Sequence, residues 1–140
     1  MKTKLATLAI LAAILLAAIA CAPASGQTAV VISCDEFAKQ AAMTREIHVP
    51  AGSTLNVTLC SNGTTGFSWE EAKVADAAVL EQASHEIKEP ASNAMGAPGS
   101  EVWSFKALKK GTTAASFAYS RSWEGGEKGV WTLELTVVVD

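Results

Sequence analysis

The chain has 140 residues, with 11 basic and 14 acidic side chains and a formal net charge of −3. This length suits a single domain that can bury a sizeable core. The acidic balance argues against nucleic acid as a partner, because surfaces that bind nucleic acid are basic.

The first 20 residues have the pattern of an export signal. Two lysines precede residues 5–20, which are apolar except for one threonine, and this run is short for a membrane span of about 20 residues. Small residues then end at Cys21, which resembles the lipobox of bacterial lipoproteins, in which the cysteine becomes the lipidated first residue. Cleavage without lipid stays open, since leucine is commoner where Ala18 stands.

Residues 21–28 are mostly small, a composition typical of a flexible tether. We therefore expect a signal peptide (1–20), a tether (21–28) and one domain (29–140). The lipid on Cys21 would hold a monomeric domain to a bacterial membrane, on the periplasmic or extracellular side of the cell envelope.

Two cysteines, Cys34 and Cys60, remain for the exported domain. An even pair in an oxidising compartment favours a disulfide, with two buried free thiols as the alternative. Cys60 has the parity of the polar residues Asn56 and Thr58, so a bridge is expected at a strand end or on the outside of a sheet.

Two segments have helical features. Residues 35–40 suggest one helical turn capped by Asp35, with Phe37 packed inward. Residues 72–88 are rich in alanine, glutamate and leucine, which favours a helix, yet the surrounding pattern favours a strand at about 79–88.

The rest of the chain alternates polar and apolar residues with a period of two, which predicts strands with one buried face. The final strand is the clearest, with one face formed by Trp131, Leu133, Leu135, Val137 and Val139. Turn residues separate the runs, a pattern typical of a mostly antiparallel β-sandwich. We predict strands at about 45–49, 55–60, 67–72, 79–88, 101–107, 113–119 and 130–139.

Connections in such a sandwich alternate between its two ends. The segments at about 62–66, 90–100 and 120–129 then share one end, whereas the plain turns at 50–54 and 109–112 share the other. Binding residues are often carried by loops on a rigid scaffold. This difference in composition predicts a binding site at the first end.

The loops of that end resemble a known family. Residues 62–69, Asn-Gly-Thr-Thr-Gly-Phe-Ser-Trp, resemble the Asn-Pro-Thr-Thr-Gly-aromatic-x-Trp motif of the chagasin-like inhibitors of papain-type cysteine proteases. Residues 96–99 resemble their Gly-x-Gly-Gly loop, and residues 121–123 resemble their Arg-Pro-Trp motif. The resemblance covers about residues 45–140.

The resemblance implies an immunoglobulin-like all-β sandwich that blocks a protease cleft and has no catalysis or cofactor of its own. Thr64 and Thr65 would lie nearest the catalytic cysteine of the protease, with the other two loops gripping the flanks of the cleft. The implied contact residues are Asn62, Gly63, Thr64, Thr65, Gly66, Phe67, Gly96, Ala97, Pro98, Gly99, Arg121, Ser122 and Trp123.

Three positions depart from the family motifs. Gly63 replaces a proline, which raises the entropy lost when the first loop is ordered. Pro98 replaces a glycine and stiffens the second loop, and Ser122 replaces the proline of the third motif. Each change is expected to lower affinity or shift target preference.

The aromatic residues divide by their surroundings. Trp69, Trp103 and Trp131 lie within alternating strands and are expected in the core. Trp123 has glycine, serine and charged neighbours, which favours an exposed contact. Arg121 is either a second contact or a surface partner of an acidic neighbour.

Two other functions stay open from the residues alone. The same loop end is compatible with an adhesive or ligand-binding module that recognises sugar or a surface protein. A thiol enzyme would need Cys34 or Cys60 together with His48 or His85. Neither histidine has metal-ligand spacing with these cysteines, so no metal is expected.

Overall fold

The structure is a computed structural model that describes residues 26–140. The predicted signal peptide, Cys21 and residues 21–25 of the predicted tether lie outside the described residues. The elements follow in chain order as β1 (Gln27–Ile32), α1 (Cys34–Lys39), β2 (Ala42–Val49), β3 (Thr54–Ser61), a 3-10 turn (Gly63–Thr65), β4 (Phe67–Trp69), β5 (Lys73–Val74), β6 (Leu80–Lys88), β7 (Gly99–Ala107), β8 (Gly111–Arg121) and β9 (Trp131–Val139).

The strands form two sheets. One has the order β1-β3-β7-β6, and the other has the order β2-β9-β8-β4 with β5 also pairing with β8. The predicted all-β sandwich is confirmed, but both sheets are mixed, because β1 pairs with β3 and β2 pairs with β9 in parallel. The other pairings are antiparallel.

The alternating residues face the core as predicted. Trp69 and Trp103 are buried, and so is every second residue of β9 from Leu133 to Val139. Trp131 is only partly buried and packs against the core, stacked between Phe37 and Tyr119. The inward position of Phe37 is also confirmed.

The N-terminal part of the domain differs from the prediction in two details. Strand β1 begins at Gln27 and so includes the last two residues of the predicted tether. Helix α1 is capped by Ser33, not by Asp35: the Ser33 hydroxyl accepts from the Glu36 amide at 3.2 Å, and the Glu36 carboxylate accepts from the Ser33 amide at 2.8 Å. This reciprocal capping box lowers the pKa of Glu36.

The strands between the first and second loops agree with the prediction in part. Residues 80–88 are strand β6, as the surrounding pattern predicted. The expected strand at 67–72 is shorter, because β4 ends at Trp69 and the next pairing is the two-residue β5. No helix within residues 26–140 is long and apolar enough to cross a membrane.

The strand register gives the sandwich two different ends. At the loop end, Ser61 of β3 pairs with Gly99 of β7, and Phe67 of β4 pairs with Arg121 of β8. The first loop (62–66), the second loop (89–98) and the third loop (122–130) therefore leave from this end. The turn end carries the connections 50–53 and 108–110.

Helix α1 also lies at the loop end, since β1 ends there and β2 begins there. A disulfide joins Cys34, the first residue of α1, to Cys60 near the end of β3, with 5.2 Å between the Cα atoms. The predicted bridge at a strand end is confirmed. It fixes α1 next to the start of the first loop.

Candidate functional site

Asn62 organises the first loop. Its side-chain oxygen accepts from the Thr64 amide at 3.3 Å and from the Thr64 hydroxyl at 2.6 Å. Its backbone oxygen accepts from the Thr65 amide at 3.2 Å and from the Thr65 hydroxyl at 2.7 Å. The favoured role of Asn62, capping its own turn, is confirmed.

These bonds fix the two threonines before any partner is present. Gly63, Thr64 and Thr65 are exposed at the tip of a 3-10 turn. Both hydroxyls donate their proton to Asn62 within the loop, so each hydroxyl is left to accept a hydrogen bond from a partner. The tip is therefore a small turn whose hydrogen bonds hold its shape before a partner binds.

The second loop is tied to the first by Asn62. The side-chain nitrogen of Asn62, Nδ2, donates to the Gly96 carbonyl at 3.2 Å. Ala97 is half-buried, whereas Gly96 and Pro98 are exposed. Gly99 begins β7 against the backbone of Lys88 and Glu89, where an added Cβ would collide with it.

The third loop packs on the other side of the first. An ideal Cβ built on Gly66 would lie 2.7 Å from Cη2 of Trp123, so the indole covers this glycine directly. Trp123 nevertheless stays 51% exposed. The side chain thus has one face fixed by the loop and another free to contact a partner.

Arg121 lies between two aromatic rings. Its guanidinium carbon is 4.4 Å from the centroid of the Phe67 ring and 5.5 Å from that of the Trp123 ring, within cation–π range. It also meets the Glu127 carboxylate at 3.7 Å. The pairing of Arg121 with an acidic neighbour is therefore confirmed, and its role as a protease contact stays a prediction.

The base of the third loop is closed by hydrogen bonds. The Arg121 amide donates to the Glu127 carbonyl at 2.8 Å, and the Gly126 amide donates to the Trp123 carbonyl at 3.1 Å. The Lys128 ammonium donates to the carbonyls of Arg121 and Trp123. Ser122 is exposed within this turn.

The three loops therefore meet, as the alternation of strands predicted. An open pocket of about 500 Å³ lies between them, and residues of all three loops line it, among them Asn62, Thr65, Pro98, Glu127 and Val130. Thr64, Gly99 and Trp123 all lie at the loop end. The predicted arrangement of the three loops at one end is present, while the contact roles of their residues stay predictions.

Two residues at this end were not predicted as part of the site. The Tyr119 hydroxyl accepts from the backbone amide of Asn62 at 2.8 Å and so positions the first loop from β8. Met95 is fully exposed in the second loop beside Gly96. Its small neighbours, Ala94 and Gly96, are the local signal for an exposed large apolar side chain at this position.

The chemistry needed for a thiol enzyme is missing from this end. Cys34 and Cys60 are bridged to each other, His85 pairs with Glu101, and His48 pairs with Glu46 and Asp140 near the turn end. Among residues 26–140, no group of three or more histidine, cysteine or acidic residues is placed to hold a metal ion.

Comparison with known proteins identifies the class of this β-sandwich. The sequence model described as "Chagasin family peptidase inhibitor I42" matches residues 48–137, which is more than half of the chain. The chain belongs to the chagasin family of peptidase inhibitors. The predicted family is confirmed, and the family is one of inhibitors rather than enzymes.

Individual relatives agree with this assignment. The chain is 29% identical to Amoebiasin-2 of Entamoeba histolytica over 93 residues, which are 66% of this chain and 76% of that protein. The crystal structure of EhICP2, a cysteine protease inhibitor from Entamoeba histolytica, matches with a TM-score of 0.62 and 26% identity, over 81% of this chain and 97% of that chain.

A second solved structure shows the same fold at lower identity. PbICP-C, solved in complex with falcipain-2, matches with a TM-score of 0.56 and 16% identity, over 79% of this chain and 98% of that chain. The three comparisons together place the whole described sandwich, and not only its loops, within this architecture.

Proposed function

We propose that this chain inhibits papain-like cysteine proteases by placing its three loops in the active-site cleft. The observation that carries the proposal is the joining of the loops: Asn62 bonds to the second loop, and Trp123 of the third loop covers Gly66 of the first. Family membership supplies the class of target, and this geometry supplies the surface.

The first loop has the shape that a narrow cleft requires. Its tip, Gly63–Thr65, has one residue without a side chain and two with short β-branched side chains, whose rotamers are restricted. Because the turn is closed by its own hydrogen bonds, less conformational entropy is lost on binding than an open loop would lose. The tip would approach the catalytic cysteine and exclude substrate without reacting.

The other loops supply area and anchoring. Trp123 offers a large, half-exposed aromatic surface supported from behind by Arg121, and tryptophan is a common hot-spot residue in interfaces. A standard interface buries roughly 800 Å² per partner, and we expect three loops side by side to reach that size. The loops of the second and third motifs would contact the two flanks of the cleft.

Titration of papain with the purified chain tests this function. We expect stoichiometric loss of papain activity and no effect on trypsin, which has a serine nucleophile in a differently shaped cleft. Full papain activity at a large excess of the chain, repeated with several papain-like enzymes, would contradict the proposal and favour an adhesive module.

We also propose that a lipid on Cys21 anchors a monomeric inhibitor to a bacterial envelope. Gly26 lies at the turn end, where its carbonyl accepts from the Thr54 amide at 3.1 Å. Five residues span at most about 18 Å, so the membrane would lie near the turn end and the three loops would face away from it.

This anchoring has a direct test. We expect wild-type chain expressed in a bacterial host to incorporate labelled palmitate and to sediment with membranes, and Cys21→Ala to lose both properties. Equal release of wild type and variant into the soluble fraction would contradict lipid anchoring without affecting the inhibitor assignment.

A further inference from the structure

Glu101 is a buried carboxylate beneath the first loop. It belongs to β7, and its side chain is only 4% exposed. One carboxylate oxygen, Oε1, accepts from the Ser61 hydroxyl at 2.9 Å and from the Trp69 amide at 3.3 Å. The other, Oε2, lies 2.8 Å from Nε2 of His85 on β6.

Two of these partners, Ser61 and Trp69, lie on the strands that flank the first loop, which we call its stems. Ser61 is the last residue of β3 in one sheet, and Trp69 is the last residue of β4 in the other sheet. A single carboxylate oxygen therefore joins the strand that enters the loop to the strand that leaves it. The Trp69 indole reinforces the same junction by donating to the Cys60 carbonyl at 3.0 Å.

His85 completes the arrangement from the side. Its imidazole stacks on Trp103 with ring centroids 4.3 Å apart and planes 6° apart. The stack fixes the ring so that Nε2 points at the carboxylate. The charged neighbours on the same strand, Glu86 and Lys88, pair with each other at the surface.

We propose that Glu101 is a positioning residue for inhibition: it sets the separation of the two stems and so the shape of the threonine tip, with His85 as its donor. This inference rests on the proposed function, because positioning matters only if the tip is what enters the cleft. Glu101 itself is too deeply buried to touch a protease.

Two substitutions separate the hydrogen bonds from the charge. In Glu101→Gln the amide oxygen still accepts from Ser61 and Trp69, but the amide nitrogen faces His85 as a donor and needs neutral Nε2 as an acceptor. A protonated imidazole then meets a donor, whereas in the wild type it meets a carboxylate. In Glu101→Leu all three bonds are lost, which leaves buried polar groups unpaired.

The expected results follow from this difference. The full-length Glu101→Gln variant should inhibit papain within about threefold of the wild type, because its amide oxygen keeps the bonds to Ser61 and Trp69. Glu101→Leu should inhibit at least about tenfold more weakly, because the two stems lose their common acceptor.

Glu134→Gln is the matched control, since it makes the same change on an exposed residue of β9. Its inhibition constant should stay close to that of the wild type. Inhibition by Glu101→Leu as strong as that of the wild type would overturn the positioning role.

Amide hydrogen exchange in the free chain gives a readout that needs no protease. Exchange at residues 62–67 should be at least about tenfold faster in Glu101→Leu than in the wild type, with exchange at the turn end unchanged. Unaltered exchange at the first loop would overturn the inference. Failure of the wild type to inhibit papain would refute the proposed function instead, so the two failures are distinguishable.

Discussion

The loop end and the turn end both reverse the chain, but they use different chemistry. At the turn end backbone bonds join much of the connections: the Gly52 amide donates to the Ala107 carbonyl at 2.8 Å, and the Ala107 amide donates to the Ser53 carbonyl at 3.0 Å. The Ser53 hydroxyl adds a side-chain bond to a backbone carbonyl within the same turn. At the loop end, side chains hold the connections, through Asn62 and Tyr119 in the first loop and Lys128 in the third.

The difference explains how irregular loops can keep one shape. A short turn is fixed by the strands that it joins, whereas longer loops leave many backbone groups to be satisfied and more conformations to be excluded. At the loop end, capping, stacking and a disulfide perform that exclusion. A surface ordered before binding loses less entropy when a partner arrives.

The largest expected effect comes from removing the disulfide at the loop end. Cys34→Ser/Cys60→Ser should lower the free energy of unfolding by about 3 kcal/mol, because the disulfide closes a loop with a sequence separation of 26 residues. Urea unfolding of variant and wild type measures the difference, and reduced wild type should unfold like the variant. Equal unfolding midpoints and slopes for the wild type, the reduced wild type and the variant would show that the disulfide contributes nothing to stability.

The second prediction compares two exposed apolar side chains, one at each end. Trp123→Ala should weaken papain inhibition by about 2 kcal/mol, or about 30-fold, because the indole is the large anchor of the third loop. Leu108→Ala is the matched control, since Leu108 is 47% exposed at the turn end against 51% for Trp123. Equal inhibition constants for the two variants would remove Trp123 from the contact surface.

The sequence predicted the strands best where one face is fully buried. In β9 every second residue from Leu133 to Val139 is buried, so the alternation in the chain is complete. Strand β1 was harder to recognise, because it is an edge strand in which Ile32 alone is fully buried. Its parallel pairing with β3 leaves no local signal comparable to a hairpin turn.

Residues at the loop end were predictable only where the signal is local. Asn62 precedes the threonines that it caps, and Trp123 stands among polar neighbours. The capping box of α1 was also local, in Ser33 and Glu36, but the adjacent Asp35 offered an equally good cap. Tyr119 and Glu101 act across the sandwich on residues far away in sequence, so no spacing along the chain indicated them.

The third prediction tests whether the two ends differ in their tolerance of the same substitution. Gly66 and Gly52 both have left-handed backbones, with φ values of 78° and 83°. Alanine at either position should lower the free energy of unfolding by about 1 kcal/mol, because a Cβ is strained there. The Gly66 Cβ would also displace Trp123, whereas nothing lies within 4 Å of the Gly52 Cβ.

We therefore expect Gly66→Ala to weaken papain inhibition by about tenfold, a loss of about 1.4 kcal/mol, and Gly52→Ala to leave it unchanged. Thermal unfolding and papain titration of both variants give the comparison. If the two variants lost inhibition equally, the packing of Trp123 on Gly66 would have no part in binding.

The smallest expected effect is a gain, obtained by stiffening the tip of the first loop. Gly63 begins the 3-10 turn, its φ is not positive, and a Cβ there meets nothing within 4 Å. The preceding residue, Asn62, lies outside the helical region that a following proline disfavours. Proline is well tolerated at the first position of a helical turn, so Gly63→Pro should fit without strain.

The gain should come from the unbound state, where proline removes conformations that glycine still samples. We expect Gly63→Pro to tighten papain inhibition by up to about 1 kcal/mol, or about fivefold, mainly through a faster association rate. Gly63→Ala is the matched control and should give a smaller gain in the same direction. Weaker inhibition by the proline variant would mean that the tip must change shape on binding, so that order at the loop end hinders the inhibitor.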